Sequence, residues 1–353
     1  MRIMKKKIAV IVSIIMAIGL VGCESARTRL IPIQKMPVED ACFVTERGEV
    51  TDGAFNQQIW EGLEKVGKDK KISVEYIETK KTSEIKPAIE KMLSKGNRLI
   101  WGNGIETAKV VSELSPSNKQ VYFGVIDVSL DDATKNAFGV VFRDQESAFL
   151  AGYISACTTK TNQVGFIGGE KNTTIEAFEW GFKGGVAYAG KKLGKQIQVH
   201  TEYIDTFTDT KKGKEVANSF YQAGNDIVFC AAGGASLGAI EAAKENNKWV
   251  IGVDRDQTML APKNVLVSTM KNVDIAIIEL TSTMAQGGFL GGQNFEYGIA
   301  NGSVDISENN GNVDKEVYEN AMKIKEDIKA GYVIAPINED EYTAYNGNYK
   351  IES

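Results

Sequence analysis

Short apolar runs at residues 41–44, 72–77, 99–101 and 121–126 alternate with stretches at 54–66, 83–93 and 105–114 whose apolar residues recur every three or four positions. Short apolar runs of this kind suit buried strands, and the three-to-four spacing suits one face of a helix. Strand then helix, repeated, is the pattern of right-handed βαβ crossovers and a parallel sheet. A second series starts with a strand at 137–142 and a helix at 145–158. It continues with strands at 164–167, 197–203, 227–230, 250–253 and 265–270, and helices at 174–189, 211–223 and 236–245. The expected class is α/β, with two doubly wound parallel-sheet lobes and a ligand cleft between them. No Pro/Gly-rich linker separates the series, so the chain is expected to cross between lobes through ordered segments. A helix at 274–284 is expected to carry it back, which assigns 39–144 plus about 273–353 to the N-terminal lobe and 145–272 to the C-terminal lobe. A helix at 315–330 and a polar tail complete the reading.

The first residues carry a separate signal. Arg2 and Lys5 to Lys7 precede an apolar run from Ile8 to Leu20, and Leu20-Val21-Gly22-Cys23 follows. A basic start, a short apolar core and small residues before a cysteine describe a lipoprotein signal over 1–22, cut ahead of a lipidated Cys23. The apolar run falls short of the ~20 residues that span a bilayer as a helix. Residues 23–38, with Pro32 and Pro37, are expected to form a tether, placing the protein on the extracytoplasmic face of the cell membrane.

Four of the 41 Lys+Arg and none of the 46 Asp+Glu lie in residues 1–22, so the remainder is acidic by nine charges. That balance argues against nucleic acid as a partner, since such binding draws on clustered cations. Cys42, Cys157 and Cys230 form no paired spacing, and a single histidine, His200, cannot build a histidine metal cluster. No metal or cofactor is expected.

In doubly wound sheets ligands bind beyond the carboxyl ends of the strands. Asp52 stands where a helix N-cap belongs, and Phe55 and Asn56 occupy the first turn after it. They read either as a stacking ring beside an amide or as a core Phe and a surface Asn. Later strands run into Asp127, into Asp205-Thr206-Phe207-Thr208-Asp209, into Gly233-Gly234, into Asp254-Arg255-Asp256-Gln257, and into Lys271. Together these supply carboxylates for hydroxyls, a ring for a flat group, bare backbone for close approach and one cationic donor. Gly165 to Gly169 follows a strand but lacks the dinucleotide fingerprint, and no Walker lysine motif is present.

The order of Asp52-Gly53-Ala54-Phe55-Asn56-Gln57, Phe142-Arg143-Asp144-Gln145-Glu146, Val164 to Gly169, Phe178-Glu179-Trp180-Gly181 and Val250-Ile251-Gly252-Val253-Asp254-Arg255-Asp256-Gln257 resembles the basic membrane protein family. These are substrate-binding lipoproteins of ABC importers, among them purine nucleoside receptors. The resemblance covers nearly all of the chain after Cys23. It implies a type I periplasmic-binding-protein fold that closes on a nucleoside and delivers it to an ABC permease. By the same resemblance Phe55 and Phe207 sandwich the base with Asn56 beside it, Asp127 contacts the nucleoside, Asp254 and Lys271 hold ribose hydroxyls, and Gly234 lies against the sugar. In the loop where nucleoside receptors tend to carry Asp then Asn, this chain has Glu46 then Arg47, which alters the donors and acceptors facing the base. Three other readings stand beside this one: a receptor for a sugar or other small solute, a surface regulator that transports nothing, and a nucleoside-cleaving enzyme using Asp127, Asp254 and Asp256.

Overall fold

The computed structural model describes residues 37–130 and 134–348. Cys23 and the expected signal segment lie outside them. Among the described residues no helix is long and apolar enough to cross a membrane.

Two six-stranded sheets organise the chain. The first contains β1 (Asp40–Val44), β2 (Ser73–Ile77), β3 (Leu99–Asn103), β4 (Tyr122–Ile126), β5 (Ala137–Phe142) and β11 (Asn294–Tyr297), in the order β2-β1-β3-β4-β5-β11, with every pair parallel. The second contains β6 (Gln163–Gly168), β7 (Gln198–Tyr203), β8 (Ile227–Ala231), β9 (Trp249–Gly252), β10 (Val265–Lys271) and β12 (Val304–Ile306), ordered β7-β6-β8-β9-β10-β12. Here β12 alone runs antiparallel. Both sheets share one topology, reversing direction between the first and third strands of the lobe, and such a switch point opens a crevice at the strand carboxyl ends.

The sequence pattern explains which strands lie inside. Leu99 to Asn103, Tyr122 to Ile126 and Ile227 to Ala231 are buried along their whole length, as strands covered on both faces must be. The edge strands β2 and β7 keep polar residues outward. His200 on β7 shares a 3.0 Å hydrogen bond between its Nδ1 and Asn225 Oδ1. Cys42 and Cys230 are buried core thiols, and burial pushes Cys230 up to about 12.

Between the strands run α1 (Phe55–Lys70), α2 (Thr82–Ser94) and α3 (Gly104–Leu114) in the first lobe. The second lobe has α4 (Asp144–Thr158), α5 (Thr173–Leu193), α6 (Thr210–Gln222) and α7 (Ser236–Asn246). Then come α8 (Val273–Ala285), α9 (Lys315–Lys329) and α10 (Glu339–Asn348). Helix α4 is buried on every side from Asp144 to Ala156. Its contact with α5 is backbone to backbone. A Cβ on Gly185 would sit 1.9 Å from Phe149 O, and one on Gly152 would sit 2.1 Å from Phe182 O. Gly185→Ala is therefore expected to force the helices apart and lower stability by about 1–3 kcal/mol, as overpacking does. An unchanged urea midpoint would contradict this packing.

The expected lobe boundary needs correction. Residues from 273 onward were assigned to the first lobe, and α8 and β11 do lie there, α8 against α1 and β11 beside β5. The chain then crosses a third time. β12 pairs with β10 in the second sheet, α9 packs on α4 and α10 on α5. An open β10 edge and the apolar face of α9, with Ala321, Ile324 and Ile328 buried, supply the physical reason. What reads as a polar tail contains α10, held through Tyr342, whose ring centroid is 5.3 Å from that of Trp180.

Candidate functional site

The carboxyl ends of both sheets face one cleft of ≈ 1220 Å³. All eight predicted ligand-facing residues, Glu46, Phe55, Asn56, Asp127, Phe207, Gly234, Asp254 and Lys271, line it. Each sits at or just beyond a strand end, save Phe55 and Asn56 at the start of the helix after β1, so chain direction and not sequence distance brings them together.

The loop after β1 is built on Asp52. Its Oδ1 accepts N–H groups from Ala54 and Gln57 at 2.9 and 3.1 Å, and its Oδ2 accepts from Asn56 at 3.0 Å. Asp52 thus satisfies the first-turn N–H groups of α1 and fixes Phe55 and Asn56 at the helix start, although the N-cap position itself is Ala54, two residues beyond the Asp52 that the sequence suggests. Asn56 is buried, with its Oδ1 3.4 Å from Asn103 Nδ2. Phe55 is partly buried against the core. The surface Asn of the alternative reading is not found, whereas its core Phe is met in part, since Phe55 packs against the core while lining the cleft.

Glu46 Oε2 accepts the backbone N–H of Thr107 at 2.8 Å, placing a carboxylate at the positive end of α3. Gly104, at φ +82, leaves it room, since a Cβ there would come 2.6 Å from the carboxyl. Burial raises the Glu46 pKa, against the lowering effects of the Thr107 N–H and of Arg47. In the other lobe the ring of Phe207 lies on bare backbone. A Cβ on Gly169 would meet it at 2.3 Å, while Gly233 and Gly234 lie against the Phe207 backbone carbonyl, where a Cβ would come within 3.3 and 3.5 Å of its oxygen.

Lys271 forms the floor. It is 2% exposed, and its Nζ lies 2.9 Å from Asp127 Oδ2 and 2.8 Å from Asp144 Oδ2. The same ammonium lies 5.1 Å from the ring centroids of Phe55 and Phe142, and 5.7 Å from that of Phe178. Burial pulls its pKa down, Asp127, Asp144 and Asp254 raise it, and the net shift is upward, so it stays a cation. Among the described residues the Asp254 carboxylate makes no hydrogen bond, while its backbone O accepts from Gln58 Nε2 at 2.9 Å. Burial pushes Asp254 up to about 7, with Lys271 opposing and Asp52 and Asp127 adding.

The sequence missed Asp144, Phe178, Asn103 and the partner of Arg47. It also could not show backbone strain. Arg47, Asp127, Asp205 and Asp254 all adopt left-handed φ, between 52 and 67°, and all four line the cleft. Non-glycine residues held there cost about 1–3 kcal/mol each and cluster where a site dictates geometry. Asp256, proposed for the enzyme reading, instead accepts the N–H of Thr258 at 2.9 Å and is not part of the cleft lining.

A family model described as ABC transporter substrate-binding protein PnrA-like matches residues 41–339. The chain belongs to the PnrA-like substrate-binding family of ABC transporters. Within it, this PnrA-like chain is 32% identical to the ABC transporter nucleoside-binding protein BmpA of Lactococcus lactis, over 94% of this chain and 99% of the relative. It is also 32% identical, with the same coverage, to the CD4+ T-cell-stimulating antigen of Listeria monocytogenes. Among solved structures, an ABC transporter solute-binding protein from Aeropyrum pernix superimposes with a TM-score of 0.79 at 20% identity, covering 87% of this chain and 96% of that one. That likeness carries the fold, a type I periplasmic-binding-protein architecture.

Proposed function

We propose that this PnrA-like protein is a lipid-anchored, extracytoplasmic receptor that binds a purine nucleoside between its lobes and hands it to an ABC permease. The observation that carries the reading is the 5.1 Å separation between the Lys271 ammonium and the Phe55 ring, with Asp127 beside the same ammonium. A flat apolar surface thus adjoins a charged polar floor. A nucleoside has that division, with a base to stack and a hydroxyl-bearing sugar joined to it by a single glycosidic bond. Phe207 supplies a second ring from the other lobe, and the lactococcal relative carries a nucleoside-binding name.

Charge favours nucleosides over nucleotides. Nine carboxylates and four cationic side chains line the cleft, so a phosphate would enter a negative field. Stacking contributes ~0.5–1.5 kcal/mol per aromatic pair, and hydrogen bonds to charged groups ~1.5–3 kcal/mol each. Two stacks and three such bonds reach micromolar affinity, about −8 kcal/mol, after ordering costs.

Calorimetry against inosine, guanosine, adenosine, ribose and galactose tests this. A nucleoside binding at micromolar or tighter, with the free sugars silent, is expected; binding of a sugar with all three nucleosides silent would overturn it. The anchor has its own test, the mass of the N-terminal peptide from membrane-extracted protein. A diacylglyceryl group on Cys23 is expected, and a peptide retaining residues 1–22 would contradict it.

A further inference from the structure

We propose that Arg47 and Glu170 form a clasp that joins the lobes across the cleft and sets how long a bound ligand stays. This rests on the receptor reading above. Arg47 follows β1 in the first sheet and Glu170 follows β6 in the second, each at the switch point of its own lobe. The guanidinium donates from Nη1 to Glu170 Oε1 at 2.6 Å and from Nη2 to Oε2 at 2.9 Å. This fork-on-carboxylate geometry is the strongest and most directional ion pair available to side chains.

The first lobe prepares Arg47 for the contact. Its backbone is held at φ 67°, its N–H donates to Thr79 Oγ1 at 3.1 Å, and Glu46 Oε1 stands 3.7 Å from Nη2. The cation is thus steadied by its own lobe and captured by the other. The side chains of Arg47 and Glu170 are 28% and 32% exposed, against 2% for Lys271, so the pair sits on the solvent side of the cleft.

Position relative to the hinge separates this pair from the Lys271 contacts. Lys271 ends β10, two residues before α8 begins, so its bond to Asp127 lies beside a crossover and changes little when the lobes rotate. Arg47 and Glu170 extend from β1 and β6, each three strands from the crossover strands β5 and β10. At about 4.8 Å per strand that is a lever of about 14 Å, on which a modest rotation breaks a contact as short as theirs. The pair therefore forms on closure and is lost on opening. An interaction of that kind slows release more than it speeds arrival.

The experiment uses Arg47→Ala, Glu170→Ala, the double variant and the reversed pair Arg47→Glu with Glu170→Arg. Small-angle X-ray scattering reads the radius of gyration of each ligand-free protein, and stopped-flow mixing reads inosine dissociation. Each single variant is expected to enlarge the radius and to speed release about fivefold, with little change in association rate. The double variant should go no further, as a closed double-mutant cycle requires, and the reversed pair should regain part of the loss. Single variants that leave both radius and release rate unchanged, or a double variant whose effects simply add, would overturn the clasp. If the wild type takes no nucleoside while the radii still follow the cycle, the nucleoside reading falls and the clasp stands. If inosine binds and neither readout follows the cycle, only the clasp falls.

Discussion

Replacing Lys271 by methionine should destabilise the protein by about 3–5 kcal/mol and abolish nucleoside binding. The size follows from what is left behind and not from the volume removed, which methionine nearly matches. Asp127 and Asp144 both contact this ammonium, and Asp144 is 1% exposed with burial already raising its pKa. Removing one partner from a buried ion pair strands the other charge, and the penalty is of that order. A companion variant separates this cause from lost packing. Adding Asp144→Asn to Lys271→Met removes one stranded charge and should recover part of the stability while leaving binding absent. Urea denaturation would show both effects, and a Lys271→Met midpoint within about 1 kcal/mol of wild type would contradict the role given to this cluster.

Asp254→Ala is expected to weaken inosine binding by roughly 2–3 kcal/mol, or roughly 30- to 150-fold, with the fold retained. The side chain lines the cleft and makes no hydrogen bond to the described residues, so the loss falls on the ligand. Calorimetry giving an unchanged affinity would remove Asp254 from the site. The same residue has a pH signature in the ligand-free protein. An unfolded aspartate titrates near ~3.9, whereas burial pushes Asp254 up to about 7. Between those values the folded state holds a proton that the unfolded state has released. The stability contribution is therefore full below about pH 4 and is lost as pH rises through about 7. Asp254→Ala should flatten that part of the stability profile, and an identical profile in variant and wild type would show that the carboxylate titrates normally.

How much of this could be read from sequence depended on how local each feature is. The strands at 137–142 and 227–230 and the helix at 236–245 are marked by their own apolar pattern, and the structure places elements within a residue or two of them. β11 and β12 are four and three residues long, too short for alternation to register. Without β12 there was no sign that the chain crosses back a third time. The strand-end acids, the glycine pair and Lys271 were legible because doubly wound topology gathers strand ends wherever they fall in sequence. Asp144 precedes the helix expected at 145–158, and in the structure it is an acid of the first helical turn, where the helix dipole favours one. Only the crossover strands show that it is buried against Lys271. Arg47 and Glu170 are 123 residues apart and belong to different lobes, so no periodicity connects them. The resemblance located Glu46 beside the cleft, but its hold on the start of α3 depends on Gly104 and a backbone N–H that no motif describes.

The central claim is that the cleft holds a nucleoside. Mass spectrometry of small molecules released from protein purified without denaturation tests it most directly. The account predicts a purine nucleoside at up to one per chain, lost in Lys271→Met. A sugar, or any other solute without a purine base, released at that stoichiometry and lost in the same variant would contradict it.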